Sequence, residues 1–287
     1  MRVTPLARRL GTAALVLTIG AGLTSCSSDG GGSSESSSSA TDESTDAGSD
    51  SSESPSEEPS DTAAALAELS GADFYPSVMA AMKEAETFNF ATTSGASGQT
   101  QDMTGQARFG DNGVEMKASS TGAQAMELIL LDQVMYMKSP ELGTGDKWIK
   151  IDLSDPNSLF GMIGKATDPE VMFKAMEEPK KLELVGSEEV DGVETNRYKI
   201  TLDPSKYVDA MGFPASMADM LPKELVTEMW VDGDNLPRKF SQTLEIPSVS
   251  GGPATSQTSE GTYSDFGTEV DIKATPADQV TEDFPGA

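Results

Sequence analysis

The chain has 287 residues, no histidine, one cysteine and a formal net charge of -27. Without histidine there is no Ser-His-Asp or Cys-His catalytic arrangement, no side chain with an ordinary pKa near neutrality and no zinc site of the common His/Cys type, and a single cysteine excludes an intrachain disulfide. The acidic balance argues against nucleic acid, whose phosphates require clustered Lys and Arg, and it repels an anionic bilayer surface.

Residues 1–25 read as a secretory signal. Arg2, Arg8 and Arg9 supply a positive start, and Leu10 to Leu23 form an apolar run. That run is too short and too rich in glycine for a transmembrane helix, which needs about 20 apolar residues. It ends in "LTSC", which resembles a bacterial lipobox, where the peptidase cuts before a cysteine that has received a diacylglycerol. Cys26 is therefore expected to be a lipid attachment point on the outer face of the cell membrane. Each buried CH₂ contributes about 0.8 kcal/mol, so two or three chains outweigh the charge repulsion. Arg8-Arg9 leaves the twin-arginine route open beside the general secretory one.

Residues 26–61 form a tether. From Ser27 to Asp61 there is no Leu, Ile, Val or aromatic residue, and all ten charges are negative. Such a segment cannot bury enough apolar surface to offset its ordering entropy, so it is expected to be disordered and extended by self-repulsion. Its reach lies between roughly 30 Å as a coil and about 100 Å stretched.

Residues 62–287 are long enough for one domain with a sizeable core. Setting aside the three signal arginines and ten tether acids leaves it a formal charge of -20. A helix is expected after Asp73, with Pro76 in its first turn and Val78, Met79, Met82 and Ala85 at helical spacing. Strands follow at Phe88–Thr93, at Asp102–Phe109 and Val114–Ser119 around Gly110-Asp111-Asn112-Gly113, at Met126–Leu131 and Val134–Lys138 around Asp132-Gln133, and at Lys147–Asp152. Two helices are expected at Asp155–Lys165 and Asp168–Glu178, each opened by Asp-Pro. Strands resume at Leu182–Val190 and Val193–Leu202 about Asp191-Gly192. A helical stretch covers Pro204–Met211, with a broken piece at Ala215–Leu221. The last strands are Leu225–Val231, Arg238–Ile246 and Gly261–Asp265, ending near Val270-Asp271-Ile272. Nine to eleven antiparallel strands with helices at the start and in the middle make an α+β fold, a curved sheet with helices on one face.

Three clusters invite chemistry. Asp232, Asp234 and Asn235 imitate a calcium loop, but Leu236-Pro237 interrupts the pattern and a hairpin turn accounts for it. Glu188-Glu189 and Glu177-Glu178 are carboxylate pairs; a glycosidase needs its pair across a cleft, and neighbours on a strand point to opposite faces. No metal, cofactor or enzymatic activity is expected. The methionines say more. Met126, Met135, Met137, Met162, Met172, Met176, Met211, Met217, Met220 and Met229 all lie in apolar segments. Flexible, polarizable methionine suits a surface that fits varied apolar partners. It also suits ordinary core packing, and from the residues alone both readings stay open.

"DGVETNRYKITLD" (191–203), "EMWVDGDNLPRKFSQTLE" (228–245) and "YSDFGTEVDIKATP" (263–276), in that order behind a lipobox, resemble the mycobacterial LppX/LprG type of lipoprotein. The resemblance covers about residues 74–283 and is carried by the order of hairpins. It implies the fold of the lipoprotein carriers LolA and LolB, a half-open antiparallel barrel around helices with an apolar cavity. It implies a lipid or lipoglycan ligand carried across the envelope, with a membrane transporter as a conceivable partner. Under it, Phe160, Met162, Ile163, Met172, Phe173, Met176, Met211, Met217 and Met220 are the expected pocket residues from the helices. Leu128, Tyr136, Trp148 and Trp230 are those from the strands. The other class that stays open is an extracytoplasmic sensor lipoprotein that binds a partner protein.

Overall fold

The computed structural model describes residues 66–282, apart from 97–98, 111–112, 122–124, 156–160, 162–163, 165–168, 211, 214 and 247–253. The expected signal, Cys26 and the expected tether lie outside the described residues.

The domain is built on one sheet of twelve strands. β1 (Thr87–Ala96), β2 (Gln99–Gly110), β3 (Gly113–Thr121), β4 (Met126–Leu131), β5 (Val134–Lys138) and β6 (Trp148–Asp152) form an antiparallel meander. β7 (Lys181–Val190), β8 (Val193–Leu202), β9 (Leu225–Asp232), β10 (Pro237–Ile246) and β11 (Thr255–Ser264) form a second. Pairing of β1 with β11 joins the two. A short β12 (Val280–Thr281) adds in parallel to β6, so the sheet runs from β12 at one end to β7 at the other.

The tight turns follow from residue chemistry. Asp132 and Gln133 both have positive φ, as do Asp191 and Gly192. Two-residue hairpin loops of this kind match the twist of the flanking strands and favour Asp, Asn and Gly. At the free end, β7 places Lys181, Glu183, Glu188 and Glu189 on an edge and shifts register between Leu184 and Gly186. Charges and a bulge on an edge strand discourage pairing with another chain.

Helices accompany the sheet. α1 (Phe74–Ala85) buries Phe74, Tyr75, Val78, Met79 and Met82, one stripe at helical spacing. α2 (Pro169–Met176) lies in the connection from β6 to β7, and α3 (Pro204–Ala210) in that from β8 to β9, followed by a 3-10 turn at Ala215–Met220. α2 packs on α1, on α3 and on β3.

The expected hairpins are all present, and the architecture is an open, largely antiparallel sheet with few helices. Three differences stand out. There are twelve strands rather than nine to eleven, and one pair is parallel. β11 begins at Thr255, earlier than its sparse apolar pattern suggests, because its polar residues pair with β1 and β10. Val270-Asp271-Ile272 is not a strand; Ile272 is held by side-chain packing against Ile129 and Trp148 instead. The helix expected at 155–165 falls largely outside the described residues.

Candidate functional site

Antiparallel partners share a face, so the register sorts every strand residue to one side or the other. Phe88 pairs with Ala107, then Met116, Leu130, Met135 and Ile151 in successive strands. The next row runs Phe90, Gly105, Ala118, Leu128, Met137 and Ile149, and the next Thr92, Met103, Ser120 and Met126. Across the β1–β11 seam the same face carries Tyr263, Gly261, Phe240, Met229, Tyr198, Ile200 and Leu202. Six methionines, Met103, Met116, Met126, Met135, Met137 and Met229, therefore lie on one side of the sheet. Across β1 to β6 and β11 every charged strand residue lies on the other side: Asp102, Arg108, Glu115, Lys117, Glu127, Lys138, Lys150, Asp152 and Glu260.

α1 covers one end of the methionine face through aromatic contacts. Phe74 meets Tyr198 edge to face at 4.9 Å, and Tyr75 lies across Phe74 at 5.2 Å. Phe88 gathers Phe90, Phe109, Tyr263 and Phe266 within 6.5 Å between ring centroids. Two glycines make room for this floor. A Cβ at Gly105 would overlap the ring of Phe90, and one at Gly261 the ring of Phe240. Burial pushes the Tyr263 phenol up to about 12, and it raises Tyr75, with a smaller push from Tyr263, and Tyr207.

The face is not sealed. Ala107, Met116, Leu128, Leu130, Met135 and Ile149 are buried, but Phe90, Met103, Met126, Met229 and Tyr263 are only half-buried although they point to the helix side. Apolar area of that kind, next to a packed floor, suits a flexible apolar guest.

The expected pocket residues separate under this geometry. Leu128 is buried on the methionine face. Met176 closes α2 and is half-buried. The backbones of Met172 and Phe173 belong to α2, and those of Met217 and Met220 to the 3-10 turn, while their side chains lie outside the described residues. Phe160, Met162, Ile163 and Met211 lie outside them entirely. Tyr136, Trp148 and Trp230 stand on the opposite face from Leu128, because Tyr136 pairs with Ile129 and Lys150, Trp148 alternates with Ile149, and Trp230 pairs with Arg197 and Lys239. The four strand residues therefore do not share a surface. Trp148 packs with Ile129 and Ile272, against Leu131, Tyr136, Val270 and Val280. Met103 and Met116 belong to the methionine face and were not singled out from the sequence. Alternation in β2 and β3 was the available signal, but it needs the register to give it a side.

The opposite face carries a groove of about 610 Å³ between β1, β2 and β11 and the tip of the β7–β8 hairpin. It is acidic: Asp102, Glu188, Glu189, Asp191 and Glu260 line it against Lys239. Several of its groups are already engaged. The Trp230 indole N–H donates to Glu188, and its ring is flanked by the Arg197 guanidinium at 5.0 Å and Lys239 Nζ at 4.8 Å. Asp102 accepts from Thr93 Oγ1 at 2.6 Å.

The calcium-like loop is a hairpin turn. Asp232 is 6% exposed, and its carboxylate accepts the backbone N–H of Asp234 at 3.0 Å and of Leu236 at 2.9 Å, with Arg238 at 2.6 Å. These bonds fix the loop and occupy the oxygens that a cation would need. Glu178, of the other carboxylate pair, reaches Lys206 at 3.3 Å in the open. No helix among the described residues is long and apolar enough to cross a membrane.

No protein-family model and no curated protein sequence matches the chain. Among solved structures it is similar to LprF from Mycobacterium bovis, with 13% identity and a TM-score of 0.47 over 71% of this chain and 96% of that one. It is similar to the lipoprotein LppX of Mycobacterium tuberculosis, with 14% identity and a TM-score of 0.47 over 71% and 98%. The Pseudomonas aeruginosa MucA/MucB complex follows, with 14% identity and a TM-score of 0.36 over 71% and 61%.

Proposed function

We propose that this chain is a lipid-anchored extracytoplasmic lipoprotein that holds acyl chains in an apolar cavity between the methionine face of its sheet and its helices, and carries them between the membrane and the outer envelope. The observation that carries this reading is the segregation of the sheet. Six methionines share the face on which α1 packs, with no charged strand residue beside them through β1 to β6 and β11, and several of the apolar side chains there are incompletely buried.

Leu128 and Met176, with Phe160, Met162, Ile163, Met172, Phe173, Met211, Met217 and Met220 from the helical segments, complete the lining in this reading. Tyr136, Trp148 and Trp230 leave it, since they stand on the other face. An acyl chain passing from a bilayer to a dry cavity exchanges one apolar surrounding for another. Crossing water bare would cost about 0.8 kcal/mol per exposed CH₂, so shielding removes the larger part of the barrier. Cys26 supplies the anchor, and the acidic tether sets how far the domain travels from it.

Native mass spectrometry of the full chain carrying Cys26→Ser, which cannot be acylated, tests the reading. Bound mass that disappears on organic extraction and matches a lipid supports it. A clean apo mass, with no uptake from added vesicles, overturns it and favours the sensor class. In that case Leu184 and Val185, exposed side by side on edge strand β7, are the first contact surface to probe.

A further inference from the structure

One band of the methionine face is not apolar. Gln101 pairs with Ser94, Ser94 with Ser259, Ser259 with Gln242, and Gln242 with Thr227, so hydroxyls and amides cross five adjacent strands in one unbroken row. All five side chains are half-buried, neither lost in the core nor on the open surface. Within the row Gln242 Nε2 donates to Thr227 Oγ1 at 2.8 Å, and Ser94 and Ser259 meet at 3.4 Å. One rung beyond, Gln257 pairs with Ala96 and Leu244 on the same side. It is 5% exposed, and its Oε1 has no hydrogen-bond partner among the described residues.

Resting on the lipid-binding reading above, we propose that this row is a headgroup subsite that selects lipids with an uncharged, hydroxyl-bearing headgroup over anionic phospholipids. The chemistry is one of donors and charge. The orphan at Gln257 is an acceptor, and an orphaned buried polar atom costs free energy until a donor reaches it. A lipid hydroxyl is a donor as well as an acceptor, and so it fits a row of hydroxyls and amides. An ionised phosphate diester only accepts. It cannot satisfy Gln257 Oε1, and it needs a cation to offset the loss of its water. On this side β1 to β6 and β11 offer none. Arg238, at the aromatic floor where it lies 5.0 Å over Phe266, is already held by Asp232 at 2.6 Å.

The test pairs two lipids with the same acyl chains, dioleoylglycerol and dioleoylphosphatidylethanol, an ionised phosphate diester with no hydroxyl, presented to the full chain carrying Cys26→Ser and read as equilibrium partition from neutral phosphatidylcholine vesicles. The chain is expected to take up the diacylglycerol at least about tenfold better, the worth of one buried hydrogen bond to a matched group. Gln257→Leu is expected to lower the ratio while total acyl-chain uptake persists, the part set by phosphate desolvation remaining. Gln242→Leu, at a half-buried and more tolerant position, is expected to lower the ratio in the same direction. Equal uptake of the two lipids, preference for the phosphatidylethanol, or a ratio unchanged in both variants overturns the headgroup subsite while leaving lipid binding standing. Uptake of neither lipid overturns lipid binding and the subsite together.

Discussion

Phe74 and Tyr198 meet edge to face with ring centroids 4.9 Å apart, joining the first turn of α1 to the middle of β8. The same tyrosine hydroxyl accepts the Leu69 backbone N–H at 2.9 Å and faces Asn196 Nδ2 at 3.4 Å, and that amide also reaches the carbonyl oxygens of Leu66 and Ala67. One aromatic pair and one buried amide thus hold the chain just before α1 against the sheet. Tyr198→Phe keeps the ring contact and removes the acceptor. It should cost about 1 kcal/mol and should selectively raise hydrogen exchange at the Leu69 amide. Phe74→Ala removes the ring and should cost about 3–5 kcal/mol in denaturant unfolding, across the whole domain.

Gly261 lies beneath Phe240, and a Cβ there would also come 2.9 Å from the Ala91 carbonyl oxygen. Backbone in a paired strand cannot give way as a side-chain tip can. Gly261→Ala should therefore destabilise by about 1–3 kcal/mol through overpacking. Adding Phe240→Leu should recover part of the loss, a non-additivity that a double-mutant cycle reads directly.

Burial raises the Tyr263 phenol to about 12, and Tyr75 is raised as well. The folded protein then keeps protons that the unfolded chain releases near pH 10. This contribution is complete below about pH 10 and is lost as the pH climbs toward 12. Each such group should lower stability by up to about 1.4 kcal/mol per pH unit within that window. Urea midpoints taken from neutral to strongly alkaline pH should show the decline, and Tyr263→Phe should make it shallower.

Cys26 is the chain's one cysteine, so acylation there has no alternative thiol. Metabolic labelling with a palmitate analogue should mark the wild-type chain and leave Cys26→Ser unlabelled. The wild type should partition into the detergent phase, and the variant should lose that partition.

The hairpins were legible because each carries its information locally. Asp132-Gln133 and Asp191-Gly192 are two-residue turns between apolar alternations, and both form where expected. The polar strand β11 was harder. "TSQTSEGTYS" has little apolar pattern, and only its neighbours β1 and β10 give its amides and carbonyls partners. The site divided in the same way. That the methionines lie in apolar segments is visible in the sequence, while Tyr136, Trp148 and Trp230 are grouped with Leu128 only under the family resemblance, and alternation sends them to the other face.

Composition and order by themselves determined what this protein lacks and how its residue types are laid out: no histidine, an apolar run ending near the one cysteine, an acidic stretch without large apolar residues, then strands punctuated by turns. These depend on residue type and short-range spacing, which a linear string retains. Which residues stand together was decided by the tertiary structure. Ser94, Ser259, Gln242 and Thr227 are scattered over 166 positions of chain and become one row only through the β1–β11 seam. A strand has a period of two and no sign, so its sequence gives the alternation but not the side. The side is fixed by register against strands far away, and by the helix that packs on one face.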